Sequence, residues 1–437
     1  VSDTIFALSS GRPPAGIAII RVSGKKSFEI NGLFVRDAGA ISPRHAILRI
    51  LRNPENGDIL DRALILAFRG PYSATGEDSV EWHCHGGQAV VRAVLGALER
   101  LGRTKPELGL REAVAGEFTR RALENGRIDL NEAEGLADLL SAETESQRRS
   151  ALMMAEGHFS RRLDGWREHL LQCAAQVESL LDFSDEDDVP DDGAESELRR
   201  RLASLCDAMQ GQLAAPSAER LNEGIRVVLA GPRNAGKSTL LNALAGREAA
   251  IVSDIAGTTR DRIDVPVSLG GVAFTLTDTA GLTEQSDDRI EMMGVDLAHQ
   301  AIEQCDILLW LGDPVECPRT DGIKVSAQKD SAGWLQDEAA DIAVSAATGE
   351  NMQALMDMLI ARAASMIPAE GGYALHKRQR DAVLLMTENL RMAIGEADLL
   401  IVAEHLRGCL QEMDRLTGKA GVEDMLGALF GRFCIGK

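Results

Sequence analysis

Long apolar runs are missing from this chain of 437 residues. The longest, around Ile307–Leu311 and Leu399–Ala403, fall far short of the ~20 residues that cross a bilayer, so no membrane partner is expected. Val1–Ser10 offers neither a basic nor an apolar stretch, and no signal peptide is expected there. Cysteine lacks a pattern: seven residues, odd in number and scattered, give no disulfide framework and fit a reducing cytoplasm. Internal repeats and low-complexity tracts are absent as well. Positive charge is scarce, with 47 Lys and Arg against 67 Asp and Glu, a net of −20. Taken whole, that balance argues against a protein that coats nucleic acid or anionic membrane. The deficit is uneven, however. Residues 1–130 carry a net of +3, residues 131–222 and 223–366 carry −11 each, and 367–437 carry −1.

What is present describes a soluble globular protein: 45% hydrophobic and 26% charged residues. The length allows two or three domains of roughly 100–200 residues. Residues 1–130 mix β-rich runs, Gly16–Val22 and Ala63–Phe68, with helical spacing over Gln88–Leu101. From Asn131 the texture turns helical, with one apolar stripe at Leu163, Trp166, Leu170, Val177 and Leu181. That stripe ends at the acidic, proline-containing Ser184–Gly193, and a second follows at Leu198, Leu202, Leu205, Met209 and Leu213. Helical spacing returns at Val383, Met386, Leu390 and Ala393, then at Leu406, Leu410 and Met413. Residues 223–366 alternate strand and helix signals instead.

The expected fold is therefore multidomain, α/β plus α. An N-terminal α+β domain spans 1–118, and a discontinuous helical domain spans 119–222 and 367–437. A Ras-like, doubly wound P-loop GTPase domain (223–366) is inserted between the helical halves, its ends at neighbouring points.

The chemistry is written most plainly after the strand Ile225–Ala230. Gly231-Pro-Arg-Asn234-Ala235-Gly236-Lys237-Ser238 has the G-x4-G-K-S pattern in a strand–loop–helix setting. Its glycines let backbone N–H groups face phosphate oxygens, from Asn234 through Thr239 (Ala235, Gly236, Lys237 and Ser238 between them), at a helix N-terminus. Lys237 supplies a charge to the β- and γ-phosphates, and the Ser238 hydroxyl is placed to ligate Mg2+. Asp278-Thr279-Ala280-Gly281 ends a later strand. Asp278 would hold Mg2+ through water and the Gly281 N–H would sense the γ-phosphate. Between them, Gly257-Thr258-Thr259-Arg260-Asp261 brings threonines that can close over the metal. This order of elements points to a GTPase rather than a generic ATPase. Base recognition is less regular. Ala327-Gln328-Lys329-Asp330 stands where a guanine reader has Asn-Lys-x-Asp, and the backbone of Ser345-Ala346-Ala347 could hold guanine O6. Asp330 reads either as the guanine acceptor or as a loop acid, and GTP is expected over ATP with reduced affinity. Leu282 follows Gly281 where a water-orienting glutamine would stand. The Asn234 amide oxygen could ligate a monovalent cation, or Asn234 is an ordinary loop residue.

Ile251–Asp261, Ile20–Gly24, Thr75–Asp78 and the terminal Phe433-Cys-Ile-Gly-Lys437 together resemble the MnmE (TrmE) family of bacterial tRNA-modification GTPases, over essentially the whole chain. The resemblance implies a potassium-activated GTPase that works with the FAD-containing flavoprotein MnmG. Together they add an aminomethyl or carboxymethylaminomethyl group to C5 of wobble uridine in certain tRNAs. It implies GTP as substrate, Mg2+ and K+, and a tetrahydrofolate derivative (5-formyl- or 5,10-methylene-) as one-carbon source. It also implies a homodimer through the N-terminal domain, a heterotetramer with MnmG, and a cytoplasmic location. By position, Asn234, Ser253, Ile255 and Thr258 match potassium ligands, with Asp254, Ala256 and Gly257 in the same nucleotide-binding loop. Ser238 and Thr259 match the magnesium ligands, and Glu291 matches the acid that organises the attacking water. Arg21, Glu81, Arg127 and Lys437 match folate-binding positions: cations can meet the glutamate tail, and a carboxylate the pterin's donor edge. Arg127 reads alternatively as a helix-surface charge. Cys434 is either a reactive thiol or a small buried apolar residue.

Departures from the family pattern are the degenerate guanine motif, an Arg before Asn234, and His83-Cys84-His85. His83 and His85 would share one strand face, where a metal is a minor alternative. A rival reading is a ribosome-assembly switch of the Era-like type. It calls for a basic RNA-binding module after the G domain, and residues 367–437 are not basic.

Overall fold

The computed structural model describes residues 3–35, 41–182, 193–246, 264–279, 298–331, 338–369, 371–418, 429–431, 433 and 435–436. The chain divides into two compact units, Val1–Ala137 with Asp414–Lys437, and Asp138–Met413. The first unit thus takes in the end of the chain.

Alternation decides the first unit's sheet. Its strands are β1 (Thr4–Leu8), β2 (Ile17–Ser23), β3 (Ile47–Arg52), β4 (Ile59–Phe68), β5 (Ser79–His85) and β6 (Leu110–Glu112), in the order β3-β4-β5-β2-β1-β6. In β2, Ala18, Ile20 and Val22 are buried, and in β5, Val80, Trp82 and Cys84. The period of two then sends Arg21, Glu81, His83 and His85 to the opposite face. The helix Gln88–Thr104 lays Val91, Val94, Leu98 and Leu101 on the apolar side, the spacing expected from the sequence. Trp82 is fully buried there, and its indole N–H donates to Asn31 Oδ1 at 2.9 Å, so its one polar atom is satisfied. Near the chain's end, Ile435 bridges antiparallel to Ala115. Gly436 has φ +100°, and any Cβ there would collide with the Leu8 carbonyl.

The second unit holds helices on either side of an α/β segment. The apolar stripes form as spaced: Leu163, Trp166, Leu170 and Val177 are buried on the helix His158–Asp182, and Leu198, Leu202, Leu205 and Met209 on Ala194–Leu213. Val383, Met386, Leu390 and Ala393 are buried on Lys377–Gly395. The halves are tied across the insertion. Arg380 donates to the carbonyls of Leu213 at 2.8 Å and Ala215 at 2.7 Å, capping orphan acceptors past the end of Ala194–Leu213. Arg199 donates to the Glu396 carbonyl at 2.8 Å.

The inserted sheet comprises β7 (Ile225–Ala230), β8 (Asp264–Leu269), β9 (Val272–Asp278), β10 (Ile307–Trp310), β11 (Ile323–Ser326) and β12 (Ile342–Ala343). Its order is β12-β11-β10-β7-β9-β8, parallel throughout except for the β8–β9 hairpin. Val227, Leu229, Leu276 and Leu309 form its core with the helices Lys237–Ala245 and Met352–Ala363. Strands buried on both faces read as nearly continuous apolar runs, as Ile225–Ala230 does, and Ile307–Trp310 is a second such strand. Ser217 and Leu375 form a parallel bridge, and the Ala218 N–H donates to the Leu375 carbonyl at 3.0 Å. The insertion therefore enters and leaves at adjacent points.

Candidate functional site

The phosphate loop follows β7 at the carboxyl edge of the sheet, where open α/β folds place ligands. At Gly231, with φ +145°, a Cβ would come within 2.9 Å of the Leu311 backbone, so only glycine lets the loop leave the strand here. Asn234 and Gly236 follow in the left-handed region at φ +64° and +91°. The helix Lys237–Ala245 then begins with its N-terminal N–H groups turned to the loop.

Lys237 is buried, and its ammonium donates to the loop's own carbonyls, Gly231 at 2.9 Å and Pro232 at 2.8 Å. Burial pushes its pKa below the usual lysine value, while the carboxylate of Asp278 acts in the opposite sense. The Ser238 hydroxyl donates to Asp278 Oδ2. Asp278 ends β9, and the next residue anchors it: Thr279 Oγ1 donates to the buried Leu229 carbonyl at 2.9 Å. Two oxygen donors, Ser238 Oγ and the Asp278 carboxylate, so stand together beside a lysine, a donor set that suits a hard cation such as Mg2+.

The segment expected to read the base joins the same edge. Asp330 Oδ1 accepts from the Ser345 hydroxyl at 2.6 Å, and the Thr348 N–H donates to Ser345 Oγ at 3.0 Å. The Lys329 N–H donates to the Val344 carbonyl at 3.1 Å, which holds the two loops side by side. Asp330, Ser345, Ala346 and Ala347, well separated in sequence, are thereby brought into one local structure. Gln328 was not singled out from the sequence, yet its Nε2 donates to the Asn234 carbonyl at 3.0 Å. The signal was its place, since it fills the lysine slot of the Asn-Lys-x-Asp pattern. Ser253 to Thr259, Ala280, Gly281, Glu291, Cys434 and Lys437 lie outside the described residues.

A second set of expected residues sits on the open face of the first unit's sheet. Arg21 and Glu81 are direct partners in the β2–β5 register, and the Arg21 guanidinium donates to Glu81 Oε1 at 2.9 Å. The other Glu81 oxygen lies 3.4 Å from His83 Nε2, and the Arg21 guanidinium stands 5.4 Å over the Phe118 ring. The charges read as separate ligand contacts thus hold each other. Arg127 is not on a helix surface. It follows the helix Glu117–Glu124 in an exposed turn, its N–H donating to the Ala122 carbonyl at 2.8 Å. His85 Nδ1 is 2.7 Å from Asp61 Oδ1, so His83 and His85 engage different carboxylates. Among the described residues, no group of three or more His, Cys, Asp or Glu converges on a metal position. The sequence reading also missed an ion network in this unit. Buried Arg121 pairs with Asp3 at 2.9 Å, Glu77 at 3.1 Å and Glu117 at 2.9 Å, and Arg111 pairs with Glu117 and Asp3.

Comparison with known proteins bears on both regions. Residues 4–127 match the family described as the GTP-binding protein TrmE N-terminus, and residues 130–434 match the MnmE helical domain. A curated relative from Rhizorhabdus wittichii is 54% identical, covering 100% of this chain and 97% of that protein. The chain belongs to the MnmE family. Other MnmE proteins from Erythrobacter litoralis and Zymomonas mobilis are 51% and 49% identical, over 100% and 99% of this chain and the whole of each relative. All three carry the description "tRNA modification GTPase MnmE". Within the MnmE helical match, the phosphate-loop sheet lies in sequence between helices that bond to one another.

Proposed function

We propose that this GTP hydrolase of tRNA modification is activated by potassium and acts on wobble uridine together with the flavoprotein MnmG. The observation that carries the GTPase reading is the meeting of Lys237, Ser238 and Asp278 at the ends of β7 and β9. Lys237 is freed to meet phosphate oxygens once they displace the loop carbonyls as its partners. Ser238 and Thr259 would hold Mg2+, the latter as the family resemblance assigns, with Asp278 reaching it through water. The metal supplies charge neutralisation to the phosphates when bound. Asp330 accepts from guanine N1 and N2, and the Ser345–Ala347 backbone donates to O6. As the family resemblance implies, Asn234 would hold K+ through its amide oxygen together with Ser253, Ile255 and Thr258, and Glu291 would orient water.

Hydrolysis drives conformational change and is not itself the modification chemistry. The supporting contact is a joint between the sheet and the helices. At the β8–β9 turn, the Gly271 carbonyl accepts from the Ser146 N–H at 3.0 Å, at the first turn of the helix Glu145–Ala155. Gln147 in the same turn donates to the Leu221 carbonyl at 3.2 Å, next to where the insertion begins. A shift of the hairpin therefore moves that helix. The first unit binds a reduced folate through Glu81, Arg21, Arg127 and Lys437 and pairs two copies of the chain, within a cytoplasmic heterotetramer with MnmG. The test is reconstitution with MnmG, tRNA and 5,10-methylene-tetrahydrofolate, reading the modified uridine. Product is expected with GTP and not with a non-hydrolysable analogue. Equal product with both would overturn the role given to hydrolysis.

A further inference from the structure

The guanine-reading segment of this chain has alanine and glutamine where Asn-Lys-x-Asp has its first two residues. The glutamine makes a contact across the site. The Gln328 side chain crosses to the phosphate loop, where its amide N–H donates to the Asn234 carbonyl at 3.0 Å. It lies flat on Gly236: a Cβ on that glycine would stand 3.3 Å from Gln328 Nε2 and 3.4 Å from its Cγ. Both ends of this bridge are strained. Asn234 has φ +64° and Gln328 φ +57°, left-handed conformations that side-chain-bearing residues adopt at a cost. The Ser331 N–H closes a turn on the Gln328 carbonyl at 2.9 Å, and two residues after Gln328, Asp330 is held by Ser345. Asp330 and Asn234 are therefore linked through one amide.

We propose that Gln328 is a positioning residue that sets the Asn234 backbone, so that seating a guanine base on Asp330 also sets the orientation of the Asn234 amide toward potassium. This rests on the reading of Asn234 as a potassium ligand given above. The chemistry needs an N–H donor at this position. An amide N–H satisfies the Asn234 carbonyl without placing a second cation near Lys237 and the metal, whereas a lysine in this slot adds a charge.

The test compares the full-length chain with Gln328→Ala, which removes the donor, and Gln328→Lys, which restores one. Affinity for a non-hydrolysable GTP analogue is measured by calorimetry in KCl and in NaCl, and half-saturating K+ for turnover at saturating GTP. The intact chain is expected to bind the analogue more tightly in KCl. Gln328→Ala is expected to lose most of that preference and to raise half-saturating K+ by about three- to ten-fold, the scale of one lost hydrogen bond. Gln328→Lys is expected to recover the analogue affinity. Weaker analogue binding by Gln328→Ala to the same extent in both salts, with half-saturating K+ unchanged, overturns the link to Asn234. No difference between KCl and NaCl in the unsubstituted chain removes the potassium reading itself, a separate outcome.

Discussion

The Lys237 ammonium donates to the Gly231 carbonyl at 2.9 Å, six residues back along its own loop. A buried lysine in this arrangement is satisfied by backbone alone, and burial already lowers its pKa. The phosphate loop is thus held in shape by the same cation that is proposed to meet the nucleotide. Lys237→Ala is expected to cut GTP turnover by about 100-fold or more, as loss of a charge-stabilising group does. Calorimetry with GDP checks whether binding falls as well, and turnover within threefold of the unsubstituted chain would contradict the role.

The contact between the Ser238 hydroxyl and Asp278 leads to a metal-removal experiment. Turnover is expected to vanish in EDTA and to return with MgCl2. Ser238→Ala is expected to need far more Mg2+, because one of two adjacent oxygen donors is gone. Titration of activity against free Mg2+ reads the shift directly.

Asp330, fixed by Ser345 at 2.6 Å, offers only acceptors to a base. Asp330→Asn presents an N–H in their place, which suits the 2-oxo group of xanthine and opposes the 2-amino group of guanine. Nucleotide competition should then favour XTP over GTP by at least tenfold, about 1.4 kcal/mol. Competition in which ATP equals GTP for the unsubstituted chain would contradict guanine recognition altogether.

A stability prediction follows from Glu117. Burial alone would raise its pKa, but Arg111, the Val114 N–H and Arg121 outweigh this and bring it to about 2, from an ordinary 4.5. A carboxyl whose folded pKa is depressed stabilises the fold fully above pH 4.5 and loses that contribution as pH falls toward 2. Acid unfolding of the first unit is expected across that window. Glu117→Gln is expected to cost about 3 kcal/mol at neutral pH, since it leaves Arg121 buried with a partner missing. Urea denaturation at pH 7 and pH 3 measures both, and the variant should show the flatter pH dependence.

How far the sequence carried the structure depends on the range of the interactions involved. Period-two and period-3.6 patterns are local, so β2, β4, the helix Gln88–Thr104 and the stripes around Leu170 and Leu202 were readable from the sequence. The G-x4-G-K-S loop was readable because its chemistry is contained in eight consecutive positions. Contacts between distant segments were not. Nothing local says that Arg21 and Glu81 meet each other, since that is a consequence of register between two strands. Gln328 reads in sequence only as a departure from a motif, and its hydrogen bond to the Asn234 carbonyl joins segments far apart in the chain. Of the three carboxylates around Arg121, Glu117 lies one helical turn away, but Asp3 and Glu77 come from distant stretches of chain, a coincidence no periodicity records.

In the proposed function, a monovalent cation at Asn234 completes the hydrolytic site of this GTPase. Its most direct test is GTP turnover at fixed ionic strength in KCl and in NaCl. Turnover should be at least tenfold faster in KCl, and Asn234→Ala should abolish the difference. Equal rates in the two salts would contradict it.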